Sequence, residues 1–144
     1  MKKFSLFFSL VAITLISLVG CGGNETAGEA ESTATAEGVV DLYVEALNNE
    51  DLDKLLKTIH PFSGQHIELR GYYDNDFKQY DYEVEKVSAT VSEESDTVTV
   101  IELVITKKLV EKKADGKNEP TEGEITQKLS LKTKGEEWLI DKVE

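Results

Sequence analysis

Apolar and polar positions alternate with a different rhythm in each part of the chain. Phe4 to Val19 is almost continuously apolar, broken only by Ser5, Ser9, Thr14 and Ser17. Gly22 to Thr35 has no large apolar residue at all. A helical period begins at Ala36. Val39, Val40, Tyr43, Val44 and Leu47 form one stripe at 3.6 residues per turn, with Glu37, Asp41 and Glu45 on the opposite face. Asn48-Asn49 interrupts this stripe. Asn49 is expected to cap a second helix, with Glu50 and Asp51 placed in its first turn against the positive end of the helix dipole. Leu52, Leu55, Leu56 and Ile59 supply the buried stripe of that helix. Pro61 stops it, because the residue before a proline is pushed out of the helical region.

Phe62 to Tyr82 is less regular and holds six aromatic residues, Phe62, Tyr72, Tyr73, Phe77, Tyr80 and Tyr82. Gly64 and Gly71 bracket a short third helix, Gln65 to Arg70, and Asp74-Asn75-Asp76 reads as a turn. From Tyr80 the period is two. Tyr80, Tyr82 and Val84 share one parity while Val87, Ala89 and Val91 share the other, which predicts a β-bulge near Glu85-Lys86. After a polar turn at Ser92–Asp96, a strand is expected over Thr97–Val110. It carries Val98, Val100 and Val104 on one face and Ile101, Leu103 and Ile105 on the other. Asp115-Gly116 is a hairpin signal, and Pro120 resists placement inside a ladder. Glu124 to Thr133 alternates, with Ile125, Leu129 and Leu131 inward and Thr126, Lys128, Ser130 and Lys132 outward. Lys134-Gly135-Glu136 turns the chain into a last strand, Trp138–Val143. Helices followed by antiparallel strands define an α+β fold: N-terminal helices packed on a curved, mainly antiparallel sheet of about four strands.

The apolar N-terminal run gains meaning from its neighbours. Lys2 and Lys3 precede it, and Leu18-Val19-Gly20-Cys21 follows. This arrangement resembles the lipobox of bacterial lipoproteins. The run is long enough for a secretory signal but short of the ~20 apolar residues of a spanning helix. The resemblance implies that Cys21 receives a diacylglyceryl group, that the Gly20–Cys21 bond is cut, and that lipidated Cys21 becomes the N-terminus. The competing readings are an ordinary cleaved secretory signal with an incidental cysteine, or an uncleaved anchor. The expected organisation is a signal peptide over 1–20, a lipidated disordered tether over 21–35 and one α+β domain over 36–144. About 14 tether residues in a flexible coil reach roughly 20 Å from the lipid surface. The expected location is therefore the outer face of the bacterial cell membrane. Cys21 is the only cysteine, so no intrachain disulfide staples the fold and an ordinary core must hold it. Cleavage removes Lys2 and Lys3, so the 16 Lys+Arg become 14 against 28 Asp+Glu, a net charge of −14. Such a surface repels phosphates and argues against a nucleic-acid partner.

The layout of the rest has its own resemblance. A helix carrying Val40-x-x-Tyr43-x-x-Ala46-Leu47, the Asn49-Glu50-Asp51 turn, a Leu-rich helix ending at His60-Pro61, and a sheet closing on Gly135-Glu136-Glu137-Trp138-Leu139-Ile140-Asp141 are similar to the nuclear-transport-factor-like (cystatin-like cone) superfamily, of the lipid-anchored kind. The resemblance covers about Ala36 to Glu144. It implies a bent sheet wrapped around helices, with a cavity between them. In relatives such as ketosteroid isomerases and dehydratases that cavity carries an Asp or His base and a Tyr donor.

No residue here matches such a base by position, so the candidates are weighed singly. Glu102, flanked by Ile101 and Leu103, would be a general base with a raised pKa if buried; alternatively it is partly solvated or paired with a lysine such as Lys128. His60 and His66 could join Asp74 or Asp76 around a metal, but spacing across an irregular segment is a weak signature, and His60 is more simply a charge at a helix C-terminus. Asp74-Asn75-Asp76 opens like a calcium loop but Lys78 replaces the next acidic ligand. No metal or cofactor is therefore expected. Tyr43 and Trp138 are the aromatic candidates for lining or filling the cone. The best reading is a non-catalytic module that binds an unidentified small ligand or cell-envelope protein, with a homodimer through the apolar outer face of the long central strand as a further expectation. The alternative is a small isomerase- or hydratase-type enzyme using the cavity.

Overall fold

The computed structural model describes residues 33–113 and 119–144. Among the described residues, three helices precede four strands: α1 (Ala36–Asn48), α2 (Leu52–Thr58), α3 (His66–Gln79), β1 (Tyr80–Glu94), β2 (Val98–Lys112), β3 (Gly123–Lys134) and β4 (Glu137–Val143). The strands form one antiparallel sheet in sequence order. This is the expected α+β architecture, with helices on one face of a curved sheet.

The core lies between that face and α1. The expected stripe of α1 is buried in full, with Val39, Val40 and Tyr43 fully enclosed. Burying an aliphatic side chain of this size contributes about 1.5–3 kcal/mol, so this stripe holds the helix to the sheet. The helix starts one residue after Thr35, whose Oγ1 accepts a hydrogen bond from the Gly38 N–H at 3.0 Å. Thr33 and Thr35, at the end of the expected tether, are thus already engaged; the Trp138 N–H donates to Thr33 O at 2.8 Å. Cys21 and Asp115-Gly116 lie outside the described residues.

Three expectations need correction. Asn49 does not cap α2; its N–H still donates to Glu45 O and closes α1. Glu50 takes a left-handed φ of 54° to reverse the chain, and Asp51 becomes the cap, accepting from the Lys54 N–H at 2.9 Å. The third helix does not stop at Arg70. It runs through Gly71 and Asp74-Asn75-Asp76 to Gln79. No turn forms at the two aspartates because each has a lysine partner: Lys78 Nζ lies 2.7 Å from Asp74 one turn on, and Lys107 Nζ 2.7 Å from Asp76. Tyr73 and Phe77, also one turn apart, stack with ring centroids 5.8 Å apart.

β1 pairs with β2 over its whole length but slips register between Lys86 and Ser88, where the bulge was expected, and again at Asp81/Tyr82 and Val91/Glu93. Val87 is the bulged residue and is half exposed. These extra residues bend β1 and increase its twist. Ile101, Leu103 and Ile105 on β2 and Leu129 and Leu131 on β3 face the core. The opposite face of β2 is mixed: Val98 and Glu102 are exposed, Val100 is buried, and the β3 partners of this row are Lys132, Ser130, Lys128 and Thr126. A second seam ties the far end of the chain to the helices. Ile59 bridges Ile140 in parallel, the His60 N–H donates to Ile140 O at 2.8 Å, and Ser63 Oγ donates to Asp141 O at 2.6 Å.

Candidate functional site: a tyrosine-lined pocket in the cone

Between α3 and the concave face of the sheet lies a pocket of about 120 Å³. Tyr72, Tyr73 and Phe77 line it from α3, Tyr82 and Val84 from β1, Ile105 and Lys107 from β2, and Ile125 and Gln127 from β3. Leu47 of α1 and Thr121 of the β2–β3 connection complete the wall. Local geometry explains the gathering. Tyr80, Tyr82 and Val84 share the inward parity of β1, so all three are buried. Lys107 continues the inward row Ile101-Leu103-Ile105, and Gln127 lies between inward Ile125 and Leu129, opposite Leu103.

The polar groups fall into two sets. At the base, the Tyr43 and Tyr73 hydroxyls are 2.5 Å apart, with the rings edge to face, and Tyr43 also donates to Gln127 Oε1 at 3.4 Å. Burial raises the Tyr43 phenol well above its ordinary range, with the adjacent Tyr73 adding to the effect. Burial likewise pushes Tyr73 up to about 12, against the lowering effect of its hydrogen bond with Tyr43. Both are protonated donors at neutral pH.

The second set is Lys107, Asp76 and Tyr82. The ion pair between Lys107 and Asp76 is mostly enclosed, with side-chain exposures of 11% and 12%. The Lys107 ammonium also sits 3.7 Å from the centroid of the Tyr82 ring, a cation–π contact. Tyr82 itself is buried, and its hydroxyl makes no geometrically complete hydrogen bond among the described residues. The Thr121 backbone beside that hydroxyl favours its charged form, against the effect of burial. Burial raises the Tyr82 phenol to about 12, and the Asp76 charge adds to the shift. An orphaned buried hydroxyl typically costs about 1–3 kcal/mol.

Among the described residues, no carboxylate or imidazole lines the pocket, and no group of three or more His, Cys, Asp and Glu could hold a metal ion. The residues singled out from sequence are dispersed around it. Tyr43 anchors the base through its hydroxyl. Glu102 is exposed on the outer face of β2, across from Lys128 and Thr90. His60 lies just past the end of α2, where its Nδ1 accepts from the Phe62 N–H at 3.2 Å. His66 is the first residue of α3. Trp138 packs against the core and lines a separate, polar-edged cleft with Thr99, Glu94 and residues 34–37. Tyr73, Tyr82, Lys107 and Gln127 were not among the candidates, and Asp76 was weighed only as a metal ligand with the histidines. Lys107 and Gln127 carried a usable signal, as long polar residues on the inward parity of β2 and β3.

Several solved structures share the fold. A ketosteroid isomerase-like protein from Erwinia carotovora matches with a TM-score of 0.55 and 16% identity, covering 78% of this chain and 93% of that one. RPA3114, a SEC-C motif containing protein from Rhodopseudomonas palustris, matches with a TM-score of 0.55 and 13% identity over 87% and 94%. An NTF-2 like protein of unknown function from Shewanella oneidensis gives 0.50 and 13% over 73% and 90%. At these identities the likeness concerns the fold, which is of the NTF2-like cone type. No curated protein matches the chain in sequence. Residues 38–144, nearly the whole described domain, match the family of the anti-sigma-I factor RsgI9 C-terminal domain, and the chain belongs to that family.

Proposed function

We propose that this domain is a non-catalytic binding module, held outside the bacterial membrane by a lipid on Cys21, which takes a small ligand into the tyrosine-lined pocket. The observation that carries the binding role is the composition of that pocket. Its wall is aromatic and aliphatic with a few fixed polar groups, the usual make-up of a ligand site. Proton abstraction needs a free base near its working pH. Here the phenols are held protonated, and Asp76 is tied to Lys107. In the protein that gives the family its name, the corresponding domain is the C-terminal part of an anti-sigma factor, a placement that suits a ligand-holding module.

Ligand-observed NMR of the purified protein against a panel of small apolar compounds tests this reading. Binding should be saturable and should disappear when Ile125→Trp fills the pocket, with the melting transition retained. A panel without binders, or binders indifferent to Ile125→Trp, would defeat it. The tyrosine pair favours the competing isomerase or hydratase reading, because paired O–H donors can stabilise an oxyanion. That reading requires the protein to speed hydrogen–deuterium exchange beside the carbonyl of a bound ketone; we expect the rate of buffer alone. For the anchor, Cys21→Ser should abolish incorporation of a radioactive fatty acid, and retained label would remove the lipoprotein assignment. A second copy against the outer sheet face is the remaining partner, and sedimentation at micromolar concentration and ~0.15 M salt, where charge repulsion is screened within ~8 Å, reports it directly.

A further inference from the structure

We infer that the cleft beside Trp138 is a second binding site, separate from the tyrosine pocket, and that it takes a small primary ammonium ion. Its place follows from the inward row of β2. That row reaches Lys107 at the tyrosine pocket and Thr99 at the opposite end, beside the first turn of α1. There Thr99, Trp138 of β4, Glu94 of β1 and Glu37 of α1 border a cleft of about 210 Å³. This exceeds the roughly 150 Å³ that admits benzene, so a ring with a short substituent fits.

Charge gives the sign of the ligand. The β1–β2 and β3–β4 turns lie at one end of the sheet, where the Thr133 N–H donates to Thr97 O at 3.2 Å. The start of α1 is tied to the same end, because the Trp138 N–H donates to Thr33 O. Residues 33–37, 93–98 and 134–138 carry Glu37, Glu93, Glu94, Asp96, Glu136 and Glu137 against a single cation, Lys134. None of these six is in an ion pair among the described residues, whereas Asp41, Glu45, Glu50 and Asp76 each hold a lysine. Carboxylates left without counter-charge around a cleft raise the local concentration of cations.

A buried group inside the cleft selects among cations. Thr99 is only 2% exposed, and its hydroxyl makes no hydrogen bond among the described residues. Unlike the sealed oxygen of Tyr82, it keeps some open surface, and the cleft is what it opens onto. Such a hydroxyl accepts an N–H, which a primary ammonium supplies and a quaternary one lacks. A hydrogen bond from a charged donor is roughly twice as strong as a neutral one. Trp138 offers the carbon skeleton apolar surface, and indole is the aromatic ring that attracts a cation best. Glu37 and Glu94 at the rim balance the charge.

The test uses the full chain and reads the emission of Trp138, its only tryptophan. The probes are benzylammonium, benzyltrimethylammonium and benzyl alcohol at pH 7 and low salt. Benzylammonium should give a saturable change. The other two should bind at least about tenfold more weakly, one lacking the N–H and the other the charge. Thr99→Val keeps the side-chain shape and should weaken benzylammonium about tenfold. Glu37→Gln and Glu94→Gln alter exposed residues, so the fold survives; each should weaken it about threefold and the pair about tenfold. Affinity unchanged in the doubly substituted chain would overturn the cation site. Affinity unchanged in Thr99→Val, or a quaternary ion bound as tightly as the primary one, would overturn the ligand class. No saturable change in Trp138 emission would remove the cleft as a site. Benzylammonium binding seen by NMR but lost in Ile125→Trp would move the ion to the tyrosine pocket and overturn the assignment to the cleft. The tyrosine pocket itself stands or falls on its own apolar probes.

Discussion

Helices α1 and α3 are nearly the same length, 13 and 14 residues, yet they are held in opposite ways. α1 buries eight residues, while α3 buries only Tyr73. The sheet and α2 grip α1 through a wide apolar stripe. α3 touches the rest mainly through Leu69, one aromatic row and the Asp76–Lys107 pair, and Ile67 on its first turn is 85% exposed. The difference teaches which part of the cone is scaffold and which is wall. α1 fixes the shape of the sheet. α3 spans its mouth, and a cavity survives beneath it because so little of α3 is packed down.

Substitutions should separate the two. Val40→Asp in α1 places an unpaired carboxylate where nothing is exposed, a cost of several kcal/mol against a total of about 5–15, and circular dichroism should show a largely unfolded chain. Tyr73→Phe, the one buried position of α3, should cost about 1–3 kcal/mol by leaving the Tyr43 hydroxyl with only its long bond to Gln127. The same phenols give a pH dependence. Their folded pKa lies above the unfolded value of 10, with Tyr73 at about 12. Their contribution is therefore whole below pH 10 and is lost as pH rises toward about 12, because only the unfolded chain gives up these protons there. Urea midpoints measured across this window should fall less steeply for Tyr73→Phe. Gly71→Ala, on an exposed stretch of α3 with nothing within 4 Å of the added methyl, should stabilise by about 0.5–1 kcal/mol, read as a rise in melting temperature of a few degrees. Ile67→Ser should change the midpoint by less than about 0.5 kcal/mol. A large loss there would mean that α3 is docked as firmly as α1.

The same contrast explains what could be read in advance. The stripe of α1 is dense enough to announce itself, as are the alternating rows of β2 and β3, because burial on one side leaves a periodic trace. α3 has few apolar residues on any face, and its Asp74-Asn75-Asp76 run has turn chemistry by composition. Beside the local Lys78–Asp74 pair it is tied down by Lys107, 31 residues away from Asp76, and no local pattern carries that second partner. The site was hidden for a related reason. Glu102 drew notice because its chain neighbours are apolar, but adjacent strand residues point to opposite faces, so those neighbours say nothing of its own surroundings. Lys107 and Gln127 break the inward row itself, which is the stronger anomaly. Tyr82 could be placed in the core by parity, whereas its lack of a partner is a fact of three dimensions.

The seam between residues 59–65 and β4 sets an order of events. Ile59, His60, Ser63 and Gln65 join residues 140–143 through a parallel bridge and several hydrogen bonds, across some 78 positions of chain. During synthesis α1 and α2 leave the ribosome long before β4 exists. The backbone groups at the end of α2 must wait for the most C-terminal strand, and the loop closed by that docking is among the costliest the fold contains. The helical hairpin can form early, but the ring of contacts that turns sheet and helices into a cone closes only once β4 has been made, so the cone is completed last of all its parts.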